Sequence, residues 1–141
     1  MDVKRLGLII AVLQVVACAS APKVDNEEKN NFRNYALSVC VGAAFADDQV
    51  KADFNKSANG YMERGHMPIE AYEELRGAVQ TWLQKDYPSK HGGQVNSAKC
   101  IDFYQSLQVA ELFDKYDPCK SSESWLSEDD YKSSCLQSRD P

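Results

Sequence analysis

The sequence predicts an all-α fold, a small disulfide-stapled helical bundle of about five helices followed by a C-terminal tail. Apolar residues recur at spacings of three and four in five separate stretches, which is the period of an amphipathic helix. No stretch alternates apolar and polar residues as the strands of a β-hairpin do. Five cysteines in 141 residues are the third observation, because small exported domains use disulfides to stabilise a limited core.

The first 21 residues have the layout of a secretory signal peptide. Lys4 and Arg5 precede an apolar run over residues 6–17, and small residues follow it. This run is too short to span a bilayer, which needs roughly 20 apolar residues. Residues 22–29 are polar and charged, and we expect them to form either a flexible spacer or the entrance to the first helix.

Two routes of signal processing fit the end of this segment. Residues 15–18 resemble a bacterial lipobox, in which Cys18 becomes the lipidated first residue of the mature chain. The small residues at positions 17 and 19 also fit simple cleavage before Ser20. We favour the lipoprotein route, which would place the protein at the membrane only through a lipid on Cys18, with the outer membrane favoured because Ala19 follows the cysteine.

The helical stretches have recognisable start and stop residues. Carboxylates at 47 and 48 suit a helix N-terminus, Gly65 ends the second stretch, Pro68 suits the first position of the third, and Ser106 can cap the last. The tail from Cys119 contains a further capping pattern at residues 127–130 that predicts a short turn. The first predicted helix covers residues 30–45, the second begins at 47 or 48 and ends at Gly65, the third covers 68–85 and the fourth 96–106. The last follows its cap Ser106 and is ended by Asp117 and Pro118.

The fourth helix carries Cys100, and its faces are predicted from spacing alone. The side chains expected to face inward are Ala98, Cys100, Ile101, Phe103 and Tyr104, and those expected to face solvent are Lys99, Asp102 and Gln105. The first helix places Cys40 beside a similar apolar face, 60 residues earlier. A Cys40–Cys100 disulfide would therefore join the first helix to the fourth, with a stabilisation of about 4 kcal/mol at most from chain entropy.

The remaining cysteines fit the same scheme. Either processing route removes Cys18 from the pool of free thiols, so four cysteines remain, and an even number in an exported chain indicates disulfides. We predict Cys119 with Cys135 as the second pair, because both lie close together in the tail. Four cysteines allow three pairings, so this choice is one of three.

The chain shows little catalytic or metal-binding chemistry. Its two histidines, His66 and His91, both lie in predicted loops, and there is no nucleophile-elbow motif or phosphate-binding glycine loop. The cysteines lack the short spacing of zinc ligands, so no cofactor or metal is expected. The net charge is −5, and −6 after loss of the signal segment, which argues against nucleic acid. An inhibitor or binding module fits better than an enzyme, and an envelope lipoprotein without an effector partner is the alternative.

Several short motifs, in their order along the chain, resemble a known family. They are Tyr-Ala-Leu-Ser-Val-Cys at residues 35–40, Tyr-Pro-Ser-Lys at 87–90, Lys-Cys-Ile-Asp-Phe-Tyr-Gln-Ser at 99–106 and a closing helix to Tyr116. Together they resemble the periplasmic immunity proteins of type VI secretion amidase effectors, the fourth amidase group. The resemblance covers residues 30–116, which would be the helical immunity domain, and leaves 117–141 as a disulfide-bonded tail extension.

This resemblance implies a helical, exported and often dimeric protein that blocks a peptidoglycan amidase by inserting a loop into its catalytic cleft. By position, the corresponding loop lies between the third and fourth helices, where Pro88 limits flexibility and two glycines permit close approach. Without the resemblance the same segment could equally be an ordinary connector. The candidate partner-binding residues are Tyr87, Pro88, Ser89, Lys90, His91, Gly92, Gly93 and Gln94.

Overall fold

A computed structural model describes residues 23–120, 126–132 and 135. Its elements are helices only, which confirms the predicted all-α class for this part of the chain. Five helices form the bundle and a sixth, short one lies in the tail. Their bounds are α1 (Lys23–Ala44), α2 (Asp48–Arg64), α3 (Ile69–Leu83), α4 (Asn96–Gln105), α5 (Leu107–Tyr116) and α6 (Glu128–Tyr131). The predicted signal segment and Cys18 lie outside the described residues.

Helix α1 is the central element of the bundle and packs against α2, α3, α4 and α5. Its buried residues recur at spacings of three and four, so they form one continuous apolar face. Burial of this face against the other helices is the main source of the bundle's stability. The buried set includes Phe32, Tyr35, Ala36 and Cys40 of α1, Tyr72, Leu75 and Val79 of α3, Cys100 and Phe103 of α4, and Val109 and Phe113 of α5.

Aromatic rings occupy the centre of this core. The Phe32 ring centroid lies 5.9 Å from that of Tyr72 and 6.1 Å from that of Phe113, which brings α1, α3 and α5 together. The rings of Tyr35 and Tyr72 meet edge to face at 4.7 Å. These separations fall in the range where tilted aromatic pairs attract each other beyond the gain from burial alone. Burial raises the pKa of Tyr35 and of Tyr72, so both phenols are neutral throughout the physiological range.

Helix α1 begins at Lys23, seven residues before the predicted start, so the described part of the predicted spacer is helical. The Glu28 carboxylate accepts a 2.7 Å hydrogen bond from the backbone N–H of His66 and lies 3.1 Å from that residue's Nδ1. These contacts attach the unpredicted start of α1 to the connection between α2 and α3. They join residues 38 positions apart, which local periodicity cannot reveal.

Most helix boundaries follow the predicted capping chemistry. The Asp47 carboxylate accepts from two backbone N–H groups at the start of α2, the Ser106 hydroxyl accepts from one at the start of α5, and the Ser127 hydroxyl from one at the start of α6. Gly65 directly follows α2, as predicted. Pro68 caps α3 instead of forming its first residue, and α3 ends at Leu83, two residues early.

Two side chains of α4 face opposite directions from those predicted. Lys99 is buried, with only 3% of its surface exposed, whereas Ile101 is 48% exposed. The reason is the contact between α4 and the end of α3, where the Trp82 indole N–H donates to the Lys99 carbonyl at 2.9 Å. This contact turns the Lys99 side of α4 toward α3, while Cys100 and Phe103 remain in the core as predicted.

Both predicted disulfides are present. Cys40–Cys100 joins α1 to α4 across a separation of 60 residues, and both cysteines are fully buried. Cys119–Cys135 closes a loop of 16 residues in the tail. Among the described residues, no helix is both long enough and apolar enough to cross a membrane.

Removal of the Cys40–Cys100 disulfide tests its contribution to stability. We expect the double variant Cys40→Ala, Cys100→Ala to lower the free energy of unfolding by about 4 kcal/mol, because the unfolded chain regains the entropy of a 60-residue loop. Urea denaturation followed by helical circular dichroism measures the change. The control is Cys119→Ala with Cys135→Ala, whose smaller loop limits the loss to about 3 kcal/mol. A greater loss in the control would contradict this ranking.

Gly65 provides a second test, because a larger residue does not fit there. A Cβ atom at this position would lie 2.5 Å from the Tyr72 hydroxyl, 3.0 Å from Glu28 Oε1 and 3.3 Å from the Tyr61 carbonyl. Since Tyr72 is buried and cannot move aside, we expect Gly65→Ala to destabilise the protein by about 1–3 kcal/mol. Gly60→Ala is the matched control: it meets no atom within 4 Å and removes a helical glycine, so it should raise stability by about 0.5–1 kcal/mol. Thermal unfolding of both variants measures the difference, and equal effects would refute it.

Candidate functional site

The candidate site is the loop between α3 and α4, which forms a short hairpin. Pro88 and Gln94 make an isolated antiparallel bridge. The Val95 N–H donates to the Tyr87 carbonyl at 2.9 Å, and the Ser89 N–H donates to the Gly93 carbonyl at 3.0 Å. The sequence pattern gave no sign of this pairing, because the hairpin depends on its turn geometry and lacks the alternating apolar side chains of a longer strand pair.

The tip of the loop is a tight turn. The Gly92 N–H donates to the Ser89 carbonyl at 3.1 Å, and the Ser89 hydroxyl accepts from the His91 N–H at 3.1 Å. Gly92 and Gly93 have φ angles of 90° and 78°, a region that other residues enter only with strain. The side chains of Lys90 and His91 are exposed at this tip. The predicted close-approach glycines are therefore also required by the turn itself.

The base of the loop is held by the side chain of Gln94. Its Oε1 accepts a 2.7 Å hydrogen bond from the Tyr87 N–H, and its Nε2 donates to Asp86 Oδ1 at 2.7 Å. Gln94 therefore links the two ends of the hairpin through one amide group. The Nζ of Lys99 lies 3.4 Å from the same Oε1 and extends this link into the bundle.

Lys99 and Asp102 of α4 support the loop from below. The Lys99 ammonium donates to the Leu83 carbonyl at 3.1 Å, at the C-terminus of α3 where the helix dipole favours a cation. It also lies 5.5 Å from the centre of the Tyr87 ring. The Tyr87 hydroxyl donates to Asp102 Oδ2 at 3.0 Å, and partial desolvation together with this carboxylate raises the pKa of Tyr87.

The eight predicted loop residues thus lie together in one projecting element. Four of them, residues 90–93, are exposed at its tip. Tyr87 is only half-exposed and its hydroxyl is bonded to α4, so in the free protein it supports the loop. Lys99 and Asp102 were both predicted to face solvent; Asp102 is exposed as predicted, whereas Lys99 is buried, and their contacts with the loop were not predicted. A lysine directly beside a buried cysteine was the one local sign of their role.

A second concave feature is an open groove between α3 and α5, with a volume of about 680 Å³. On its rim, Glu74 accepts hydrogen bonds of 2.6 Å from both Lys115 and the Tyr116 hydroxyl, and these bonds lower the pKa of Glu74. The groove contains no histidine or cysteine that would provide a nucleophile or base. Its lining residues are Glu74, Gly77, Ala78, Thr81, Gln108, Glu111, Leu112 and Lys115.

The histidines are not arranged for catalysis. His66 lies beside Glu28, in the connection between α2 and α3, whereas His91 lies at the tip of the hairpin between α3 and α4. Within residues 23–120 and the described part of the tail, no group of three or more His, Cys, Asp or Glu side chains could hold a metal ion. The projecting hairpin is therefore the feature best suited to recognise another molecule.

Comparison with known proteins identifies the family of the chain. A model of the Tai4 family, described as type VI secretion system (T6SS) amidase immunity protein, matches residues 30–113, more than half of the chain. The chain is also 30% identical to a chain in the structure of the effector–immunity system Tae4/Tai4 from Salmonella typhimurium, selenomethionine variant. That match has a TM-score of 0.59 and covers 62% of this chain and 87% of the other. Curated protein sequences give no match. The resemblance found from the sequence motifs is confirmed, and the chain belongs to the family of T6SS amidase immunity proteins.

Proposed function

We propose that this immunity protein neutralises its amidase effector by inserting the hairpin of residues 87–94 into the catalytic cleft. The family is one of immunity proteins that bind a T6SS amidase effector, so the chain acts by binding and not by catalysis, as the sequence indicated. The observation that supports the hairpin as the binding element is its fixed shape in the free protein. The peptidoglycan of the producing cell is protected when the cleft is blocked.

The shape of the hairpin suits insertion into a narrow cleft. Hydrogen bonds across its strands and from Gln94 order the backbone before binding, which reduces the entropy lost on association. Gly92 and Gly93 carry no side chain, so the tip is slim on one side and its backbone can approach the effector closely. Lys90 and His91 supply exposed side chains at the tip.

We propose the periplasm as the site of action, after export directed by residues 1–21. The two disulfides support an oxidising compartment, because such bonds are rare in the cytosol. Residues 30–116 would form the immunity domain and 117–141 its extension. The mass of the mature N-terminus decides between a lipid on Cys18 and cleavage before Ser20. The homodimer implied by the family resemblance is tested by light scattering of the purified protein.

Replacement of the hairpin tip tests the proposed mechanism. Exchange of residues 89–93 for Ser-Gly-Ser-Gly-Gly replaces Lys90 and His91 but keeps Ser89 and the two glycines of the turn. It also retains Tyr87 and Gln94 and so leaves the base of the loop in place. We expect the inhibition constant for the amidase effector from the same organism to rise at least about 30-fold, the loss typical of removing a binding hot spot of about 2 kcal/mol. Inhibition of amidase activity and co-purification of the complex measure the effect.

The control for this exchange is Lys56→Ala with Asn59→Ala, which removes a charge and an amide from the exposed face of α2. This variant should inhibit the amidase as the unchanged protein does. Thermal unfolding shows whether each variant remains folded. If the tip variant is folded and still inhibits fully, the hairpin is not the inhibitory element.

A further inference from the structure

We propose that Lys99 is the positioning residue of the inhibitory hairpin, because its buried ammonium fixes the angle at which the hairpin leaves the bundle. This inference rests on the proposed function, and it assigns a role to a residue outside the loop itself. Lys99 is on α4, beyond the end of the hairpin, and only 3% of its surface is exposed. It therefore acts through the loop and not by contact with the effector.

The Lys99 ammonium lies where three parts of the structure meet: the end of α3 and the two ends of the hairpin. Nζ donates to the Leu83 carbonyl, where the chain leaves α3. It also reaches Gln94 Oε1, at the returning end of the hairpin. Its third neighbour is the Tyr87 ring, at the outgoing end. One charge thus interacts with both ends of the loop and with the helix before it.

The backbone position of Lys99 is itself fixed. The next residue, Cys100, is bonded to Cys40 of α1, and the Lys99 carbonyl accepts from the Trp82 indole. The backbone of α4 therefore cannot shift to follow the loop, so the loop must adjust to the ammonium. A neutral side chain at this position would leave the Leu83 carbonyl and Gln94 Oε1 without their cationic donor.

The buried charge of Lys99 helps to fix the position of Gln94. A charged donor strengthens a hydrogen bond, so the Lys99 ammonium is held at the Leu83 carbonyl at 3.1 Å and places its charge 3.4 Å from Gln94 Oε1, the oxygen that also accepts from the Tyr87 N–H. Loss of the charge would remove one of the restraints on Gln94 Oε1, so the two ends of the hairpin would open more often, although the Tyr87 N–H would still donate to that oxygen. Since the Pro88–Gln94 bridge is isolated, no longer strand pairing would compensate.

Arg33 provides a matched control elsewhere in the bundle. Its Nε donates to the Tyr104 carbonyl at 3.1 Å, near the C-terminus of α4, and its guanidinium lies 4.6 Å from the centre of the Tyr104 ring. This is the same combination of cation, helix-terminal carbonyl and aromatic ring as at Lys99. Unlike the contacts of Lys99, both of these Arg33 contacts are with Tyr104 and neither involves the hairpin. If Lys99 only stabilised the bundle, replacing Lys99 or Arg33 by methionine would have the same effect on the hairpin.

The experiment compares Lys99→Met, Arg33→Met and Gln94→Ala. Hydrogen exchange of the amides at 87, 89, 92 and 95 reports the order of the hairpin, because each of these N–H groups is bonded in the structure. The inhibition constant for the amidase reports its function. We expect Lys99→Met to accelerate exchange at these amides and to raise the inhibition constant, each about tenfold, whereas Arg33→Met leaves both unchanged even if it lowers the unfolding temperature.

The double variant Lys99→Met, Gln94→Ala tests whether the two residues act together. If Lys99 acts through Gln94, the double variant should exchange and inhibit no worse than Gln94→Ala alone, because without Gln94 the ammonium has no amide oxygen of the loop to hold. Additive effects would overturn the inference, and so would unchanged exchange in a folded Lys99→Met variant. If Lys99→Met does not fold, Lys99→Gln replaces it, since this variant also removes the charge: faster hairpin exchange supports the inference, and wild-type exchange refutes it.

The hairpin-tip exchange described above separates this inference from the proposed function. If the tip variant still inhibits, the proposed function fails, while the exchange measurement still decides the role of Lys99. If the tip variant loses inhibition and Lys99→Met inhibits normally with a well-ordered hairpin, only the positioning role is rejected.

Discussion

The structure depends on the link between α1 and α4. Helix α1 contributes the apolar face that the other bundle helices cover, and the Cys40–Cys100 disulfide fixes α4 against it. Helix α4 has only ten residues, too few to be stable in isolation, so its order comes from tertiary contacts. The disulfide supplies one such contact at the middle of the helix, where it restrains both ends.

This restraint connects the core to the candidate site. Helix α4 has two roles. Its residues Cys100 and Phe103 fill the core, while Lys99 and Asp102 hold the hairpin. A rigid support of this kind lets a short loop keep one conformation in solution. The conformational entropy of the loop is then lost when the protein folds and not when it binds. The bundle is therefore a rigid support for this hairpin.

Much of this architecture could be predicted from the sequence, because many of its rules are local. Capping by Asp47, Ser106 and Ser127 depends on residues within three positions, and the disulfide pairing followed from which cysteines lay on apolar faces. The errors concern distant contacts. The early start of α1 depends on the hydrogen bond between Glu28 and His66. The burial of Lys99 depends on its hydrogen bond to the Leu83 carbonyl, at the end of α3. No periodicity in a single helix contains that information.

The exposed tip of the hairpin has a consequence for how this protein can change over evolutionary time. The turn is maintained by backbone hydrogen bonds, two glycines and the Ser89 hydroxyl, while the side chains of Lys90 and His91 point away from the bundle. Surface substitutions of this kind usually alter folding stability by less than about 0.5 kcal/mol. Mutations in these two codons can therefore accumulate without loss of the scaffold, and under the proposed mechanism they would alter recognition of the effector while the remainder of the gene is inherited intact.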